Sequence, residues 1–364
     1  MAMVIGGPSR YIQQKNALKD LSKFAKTLGN NLLVLITESG KKRIGNIIED
    51  GNKDTDVTIN FTYFNGECSK KEIKRVQDEA KKVGANVIVG IGGGKALDTA
   101  KAAAYYAKLP VVISPTIASS DAPCSALSVI YTEEGVYEEY LFLTENPNMV
   151  LMDTEIISKA PSRLIVAGMG DALATYFEAR ACKASNAINC LNGTGSLTST
   201  ALGELCYQTL INDGYKAKLA ADNKVCTKAV ENIIEANTYL SGIGFESGGI
   251  AAAHAVHNGL TAIEETHHMY HGEKVAFGTL TQLVLENAPI EDIEEVIEFC
   301  TSVGLPTTLA DLGIKKIKEE EIMKVATLAC AEGDTMANMP FDVTPNDVYA
   351  AILAANELGL AYKN

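Results

Sequence analysis

The chain has 364 residues, more than one hydrophobic core usually organises, so its length favours two domains and excludes a mini-protein. With 47% hydrophobic and 21% charged residues, it has the make-up of a globular protein and not of a disordered or fibrous one. Its 32 basic and 45 acidic side chains leave a net charge of −13, which repels polyphosphate and argues against nucleic acid as a partner.

The opening MAMVIGGPSRYIQQK has no apolar stretch behind a basic start, and no apolar run reaches the roughly 18 residues of a membrane span. A cytoplasmic protein with no membrane partner is expected. Strand and helix signals then alternate: Asn31–Thr37 and Asp56–Phe64 read as strands, with Lys41–Asp50 and Ser69–Val83 as helices. Asn86–Ile91 reads as a buried strand, Lys95–Ala107 as a helix opened by glycines, and Pro110–Ser114 as a further strand. This alternation predicts an α/β domain with a doubly wound, mostly parallel, Rossmann-like sheet. SVIYT, YLFLT and NMVLMD, between Ser128 and Asp153, are expected to form a small antiparallel appendage. Beyond Thr154, Leu164–Ala184, Ser196–Asp213 and Lys224–Leu240 carry helical spacing, so an all-α C-terminal domain is expected. Pro161 sets the boundary, giving domains 1–160 and 161–364. The eight cysteines form no C-x-x-C pair and read as reduced thiols.

Gly92-Gly93-Gly94-Lys95 follows a strand and opens a helix, where missing Cβ atoms and free N–H groups suit a dinucleotide's pyrophosphate better than a merely structural turn. Lys95 stands where G-x-G-x-x-G needs glycine, and Ala96 stands where a Walker A needs a hydroxyl, so ATP hydrolysis loses its support. Asp98 reads as a helix-dipole partner. After the next strand, PTIASSDAPCS offers hydroxyls to a cofactor or forms a solvated loop, with Asp121 as its only charge.

All five histidines, His254, His257, His267, His268 and His271, fall within 18 positions. His254 and His257 are i,i+3 on the expected helix Gly249–Leu260, so two facing elements could share one divalent ion. Two imidazoles and a carboxylate suit Zn²⁺ or Fe²⁺. Spacing leaves the carboxylate open among Glu246, Glu264, Glu265, Glu273 and the distant Asp171, which follows glycines and reads as a helix cap. No lysine or arginine lies between Phe245 and Glu273, which favours a neutral polar substrate such as a polyol.

GGGKALDTAK, PTIASSDAPCSALSVIYT, GDALATYFEARA, GFESGGIAAAHAVHNG and HHMYHGEKVAFGTL together resemble the glycerol dehydrogenase branch of the iron-type alcohol dehydrogenase superfamily, along essentially the whole chain. The resemblance implies a dehydroquinate synthase-like architecture and reversible NAD-dependent oxidation of glycerol to dihydroxyacetone, with related vicinal diols as further substrates. It implies metal ligands Asp171, His254 and His271, normally for zinc, with iron or another divalent ion as substitute. It places Gly92, Gly93, Gly94, Lys95, Thr116, Ser119, Ser125, Leu127 and Tyr131 against NAD, and Asp121 and Phe245 with the metal ligands around the substrate. For such a reaction the proton is expected to leave through water or a hydroxyl, aided by His268 or Asp121. It also implies a homo-oligomer, often an octamer. Two positions depart from the pattern: Thr37, where an aspartate usually meets the adenosine ribose, and Ala337, where a histidine is expected. A glycerol-1-phosphate dehydrogenase or a dehydroquinate-synthase-like lyase on the same scaffold, and a non-catalytic nucleotide- or metal-binding regulator, are the alternatives.

Overall fold

The computed structural model describes residues 1–363. Its strands are β1 (Tyr11–Gln14), β2 (Asn31–Ile36), β3 (Thr58–Tyr63), β4 (Val87–Gly92), β5 (Val111–Pro115), β6 (Leu127–Tyr131), β7 (Tyr137–Phe142) and β8 (Met149–Asp153). Six of them form one parallel sheet in the order β1-β8-β5-β4-β2-β3. The first helices are α1 (Leu21–Ala25), α2 (Glu38–Asn52), α3 (Lys70–Val83), α4 (Gly94–Ala107) and α5 (Thr154–Ser158). From Ser162 on, the named elements are helices: α6 (Ser162–Ser185), α7 (Leu197–Asp222), α8 (Lys228–Glu235), α9 (Ser241–Gly248), α10 (Ala252–Leu260), α11 (His271–Leu285), α12 (Ile290–Val303), α13 (Glu319–Ala329) and α14 (Pro345–Ala361), with short helical turns between them.

The central strands are apolar throughout because both sheet faces are covered. Leu32, Val34 and Ile36 of β2 point towards Leu18, Leu21, Ile44 and Ile48 on one side. Leu33 and Leu35 point the other way, into a core with Ile73, Val76 and Leu97 that runs on into the helical region. Thr37 begins α2 by accepting the N–H of Gly40, Ser69 begins α3 by accepting that of Glu72, and Gly84 ends α3 at φ 66°. Strand order reverses between β2 and β4, and a ligand crevice belongs at their carboxyl ends.

The doubly wound parallel sheet and the all-helical remainder agree with the sequence pattern. The appendage does not: β6 and β7 form an antiparallel hairpin, but β8 leaves it and pairs in parallel with β1 and β5. All five residues of β8 are buried, which is the signature of an interior parallel strand and not of a half-exposed hairpin. The expected helix Lys224–Leu240 starts at Lys228, and its end, Ala236–Leu240, widens into a π-helical turn that runs straight into α9. Among the described residues no helix is long and apolar enough to cross a membrane.

Candidate active site

At the crevice, Gly92 closes β4 at φ 153°, and Gly93 caps α4 without a side chain. A Cβ on Gly94 would meet nothing within 4 Å, and one on Gly93 only Ile117 Cδ1 at 3.6 Å. Neither close packing nor a left-handed backbone requires glycine at position 94, so the space there is available to a ligand at the helix N-terminus. Lys95 pairs with Glu67 (2.5 Å) and sits over the Tyr131 ring, 4.9 Å from its centre. Burial pushes the Tyr131 hydroxyl up to about 12.

The loop after β5 is tied to the glycine turn where the Thr116 N–H donates to Gly92 O (3.0 Å). Ser119 is half-buried, and Ser125 Oγ donates to Ala122 O (3.0 Å). A residue unforeseen from sequence organises this loop: Lys101, fully buried on α4, pairs with Asp98 (2.9 Å) and donates to the carbonyls of Ala122 (3.1 Å) and Leu127. Asp98 also accepts the Val129 N–H (3.0 Å). It is therefore the counter-ion of a buried lysine and not a dipole partner in the first turn; a charged residue inside the apolar run AKAAA was the available signal.

Asp171 lies in the middle of α6, not at its start. The glycines around it mark close approaches of backbone. A Cβ on Gly168 would stand 2.1 Å from Ala118 O, one on Gly170 2.3 Å from Gly272 O, and one on Gly272 1.8 Å from Ala167 O. The first contact seats the loop after β5 on α6, and the other two let α11 press against α6, so His271, at the first position of α11, meets Asp171 directly. Asp171 Oδ1 lies 3.0 Å from His271 Nε2 and 3.6 Å from His254 Nε2, and one donor atom from each residue falls within 4.8 Å of the others.

Tetrahedral zinc with bonds of about 2.0–2.1 Å would hold its ligand atoms roughly 3.3 Å apart. The buried Oδ1 has no hydrogen bond of acceptable geometry, although the other carboxylate oxygen accepts the Asp121 N–H (3.2 Å). Glu178 accepts from His254 Nδ1 (2.6 Å) and from the N–H groups of Ala251 and His254 (2.8 and 2.9 Å). The hydrogen on Nδ1 leaves His254 Nε2 free to offer its lone pair. Burial works against the charge on Asp171, but the adjacent His271 and His254 outweigh it and hold the carboxyl well below its usual range. Burial also opposes a proton on His254, yet Glu178 and Asp171 raise its affinity well above normal. Two buried carboxylates thus demand a cation between them, and the donors present fit a divalent ion.

The same loop brings in Asp121. Its carboxylate accepts from Ser241 Oγ (2.8 Å), which in turn lies 2.8 Å from Thr175 Oγ1. Burial and the neighbouring Asp171 raise its proton affinity well above that of an ordinary aspartate. Asn237, in the π-helical turn, donates to Ala118 O (3.0 Å) and Ile165 O (2.9 Å), anchoring this loop to the helices. Wide turns of this kind often mark functional sites. Phe245 is half-buried on α9, the helix that carries Ser241. His257 Nε2 stands 2.9 Å from His271 Nδ1. His267, bonded to Thr261 O (2.9 Å), and His268 are both exposed and lie outside the three-donor group. The gap in basic residues around the histidines is partly filled in space: Arg163 reaches Glu273 through two nitrogens, at 2.6 and 2.8 Å. Glu178, Ser241, Asn237 and Lys101 were not singled out by sequence; only Glu178, seven residues and two helical turns after Asp171, carried a readable spacing.

A cation cradle on helices facing a nucleotide-type crevice is the build of a metal-assisted, dinucleotide-linked dehydrogenase. The family model of iron-containing alcohol dehydrogenases matches residues 8–154. Glycerol dehydrogenase of Citrobacter freundii is 55% identical over 359 residues, covering 99% of this chain and 98% of its own. Two crystal structures superpose along the whole molecule. One is a probable glycerol dehydrogenase from Sinorhizobium meliloti 1021 (45% identity, TM-score 0.91, 99% and 100% covered). The other is glycerol dehydrogenase from Schizosaccharomyces pombe (37% identity, TM-score 0.95, 99% and 92% covered). The chain belongs to the iron-containing alcohol dehydrogenase family, and its full-length similarity is to the glycerol dehydrogenases within it.

Proposed function

We propose that this chain catalyses the reversible oxidation of glycerol to dihydroxyacetone with NAD, and of related vicinal diols, using a divalent ion held by Asp171, His254 and His271. The observation that carries this is the convergence of those three donors, running from buried Asp171 to exposed His271, on one point beside Asp121. Their nitrogen and oxygen chemistry favours zinc, with iron as substitute. Residues 1–160 are taken as the NAD-binding unit and 161–364 as the metal and substrate unit. A cytoplasmic setting is supported by eight free cysteines. A homo-oligomer is supported by the half-exposed aromatic hairpin of Tyr137, Tyr140 and Phe142.

When bound, the ion supplies the Lewis acidity that lowers a hydroxyl pKa, and NAD supplies the hydride acceptor. The chain's own part is placement. Gly92, Gly93 and Gly94 open the end of α4 to a pyrophosphate, while Lys95, Thr116, Ser119, Ser125, Leu127 and Tyr131 border the path of the rest of the dinucleotide. Asp121, fixed by Ser241, orients a substrate hydroxyl, with Phe245 as pocket wall. His268, exposed three positions before His271, gives the departing proton a way to water.

Anionic substrates find less support, because the guanidinium of Arg163 is engaged by Glu273. The test is to strip the protein with chelator, restore zinc, and follow NADH absorbance with glycerol, a vicinal-diol panel, NAD and NADP. Zinc-dependent NADH formation with glycerol is expected; NAD binding without turnover of any diol would instead make the protein a regulator.

A further inference from the structure

His271 is held from behind by a file of side chains ending outside the pocket. Asp334 accepts the N–H of Thr335 (2.6 Å), and Thr335 Oγ1 donates to Ala251 O (2.7 Å), which fixes this turn against the start of α10. Asn258, on α10, donates its amide nitrogen to both carboxylate oxygens of Asp334 (3.3 and 3.2 Å). An ionised carboxylate can only accept, so the amide nitrogen must face it and the amide oxygen must face away. That oxygen lies 3.1 Å from His257 Nδ1 and also can only accept, so His257 carries its hydrogen on Nδ1. The lone pair of His257 is then on Nε2, 2.9 Å from His271 Nδ1, which must donate. With Nδ1 fixed as the donor, Nε2, 3.0 Å from Asp171 Oδ1, is the nitrogen that can exchange its proton for a metal ion.

Each acceptor fixes the tautomer of the next group, and Asp334 starts the sequence. We infer that Asn258 and Asp334 are positioning residues that hold His271 in its metal-binding tautomer, so that the segment after α13 contributes to metal affinity. The two ligand imidazoles are thus oriented by different means. His254 has a carboxylate directly behind it, whereas His271 has a carboxylate three bonds away through an amide and a neutral ring. The inference rests on the ligand set proposed above, and its test separates the two.

Zinc affinity is measured by competition with a chromophoric chelator, together with the d–d spectrum of the cobalt-substituted protein and the melting temperature of the zinc-free protein. Asn258→Ala should weaken zinc binding about 10- to 100-fold and shift the cobalt spectrum, the usual effect of losing a partner behind a ligand. The double exchange Asn258→Asp with Asp334→Asn keeps an acceptor facing His257 and a donor facing residue 258. It should recover most of the affinity. Asp334→Ala serves as the second variant should Asn258→Ala fail to fold, and the same weakening is expected of it. Zinc binding by the folded alanine variants within about twofold of wild type, or a double exchange as weak as Asn258→Ala, would overturn the inference. His271→Ala in the same titration tests the ligand set: if it binds zinc like wild type, the ligand assignment fails, whereas loss in His271→Ala alone sinks only the relay.

Discussion

Glu246 shows what a single buried carboxylate does here. It is 2% exposed on α9, and it accepts the Ala126 N–H (2.6 Å) and the Asn146 side-chain amide (2.5 Å), both from the sheet-bearing part of the chain. Burial raises its proton affinity despite those two hydrogen bonds. A carboxyl whose folded-state pKa lies above its free value favours folding when protonated, and that stability is lost as pH rises from the free value towards the folded one. Glu246→Gln removes the titration. The melting temperature of the variant minus that of wild type should therefore rise as pH climbs from 4.5 towards neutrality; a difference independent of pH would mean Glu246 keeps an ordinary pKa. Nothing in the sequence distinguished this glutamate from its neighbours as a tie between the two parts. Asp171 was legible only through the family blocks, because its flanking glycines imitate a helix start. Their cause is tertiary: Gly168 and Gly170 make room for the backbones of Ala118 and Gly272.

At the level of elements, two glycines near helix starts have opposite reasons to exist. Gly272, the second residue of α11, has no room for a methyl group, which would stand 1.8 Å from Ala167 O and 2.7 Å from the Asp171 backbone nitrogen. Gly94, the first residue of α4, has open space. Gly272→Ala should cost roughly 1–3 kcal/mol or more through overpacking, and it should weaken metal binding as α11 moves off Asp171. Gly94→Ala should leave the melting temperature nearly unchanged while raising KM for NAD, because the methyl occupies the approach to the helix N-terminus. Thermal melts with NAD kinetics on both variants check the pair; an unchanged KM for Gly94→Ala would mean the turn is only structural. The alternating elements were legible because their apolar periods are strong. β8 was misassigned because a buried strand of five residues does not reveal which sheet it joins.

At the scale of the whole molecule, the doubly wound parallel sheet and the helical remainder followed from pattern, whereas the strand order and the meeting of Asp171 with His254 and His271 did not. That meeting depends on α6, α10 and α11 packing against one another, and spacing along the chain does not encode distances between separate helices. The clustering of five histidines pointed to an ion and the family blocks named His254 and His271; in the fold these two reach Asp171, whereas His267 and His268 lie outside the three-donor group. Zinc X-ray absorption on the metal-loaded protein examines this convergence directly. The account predicts two imidazole nitrogens and a carboxylate oxygen at about 2.0–2.2 Å, with further oxygen from water. Sulfur scattering at about 2.3 Å, or the same spectrum from Asp171→Asn and His271→Ala proteins, would place the ion elsewhere and contradict it.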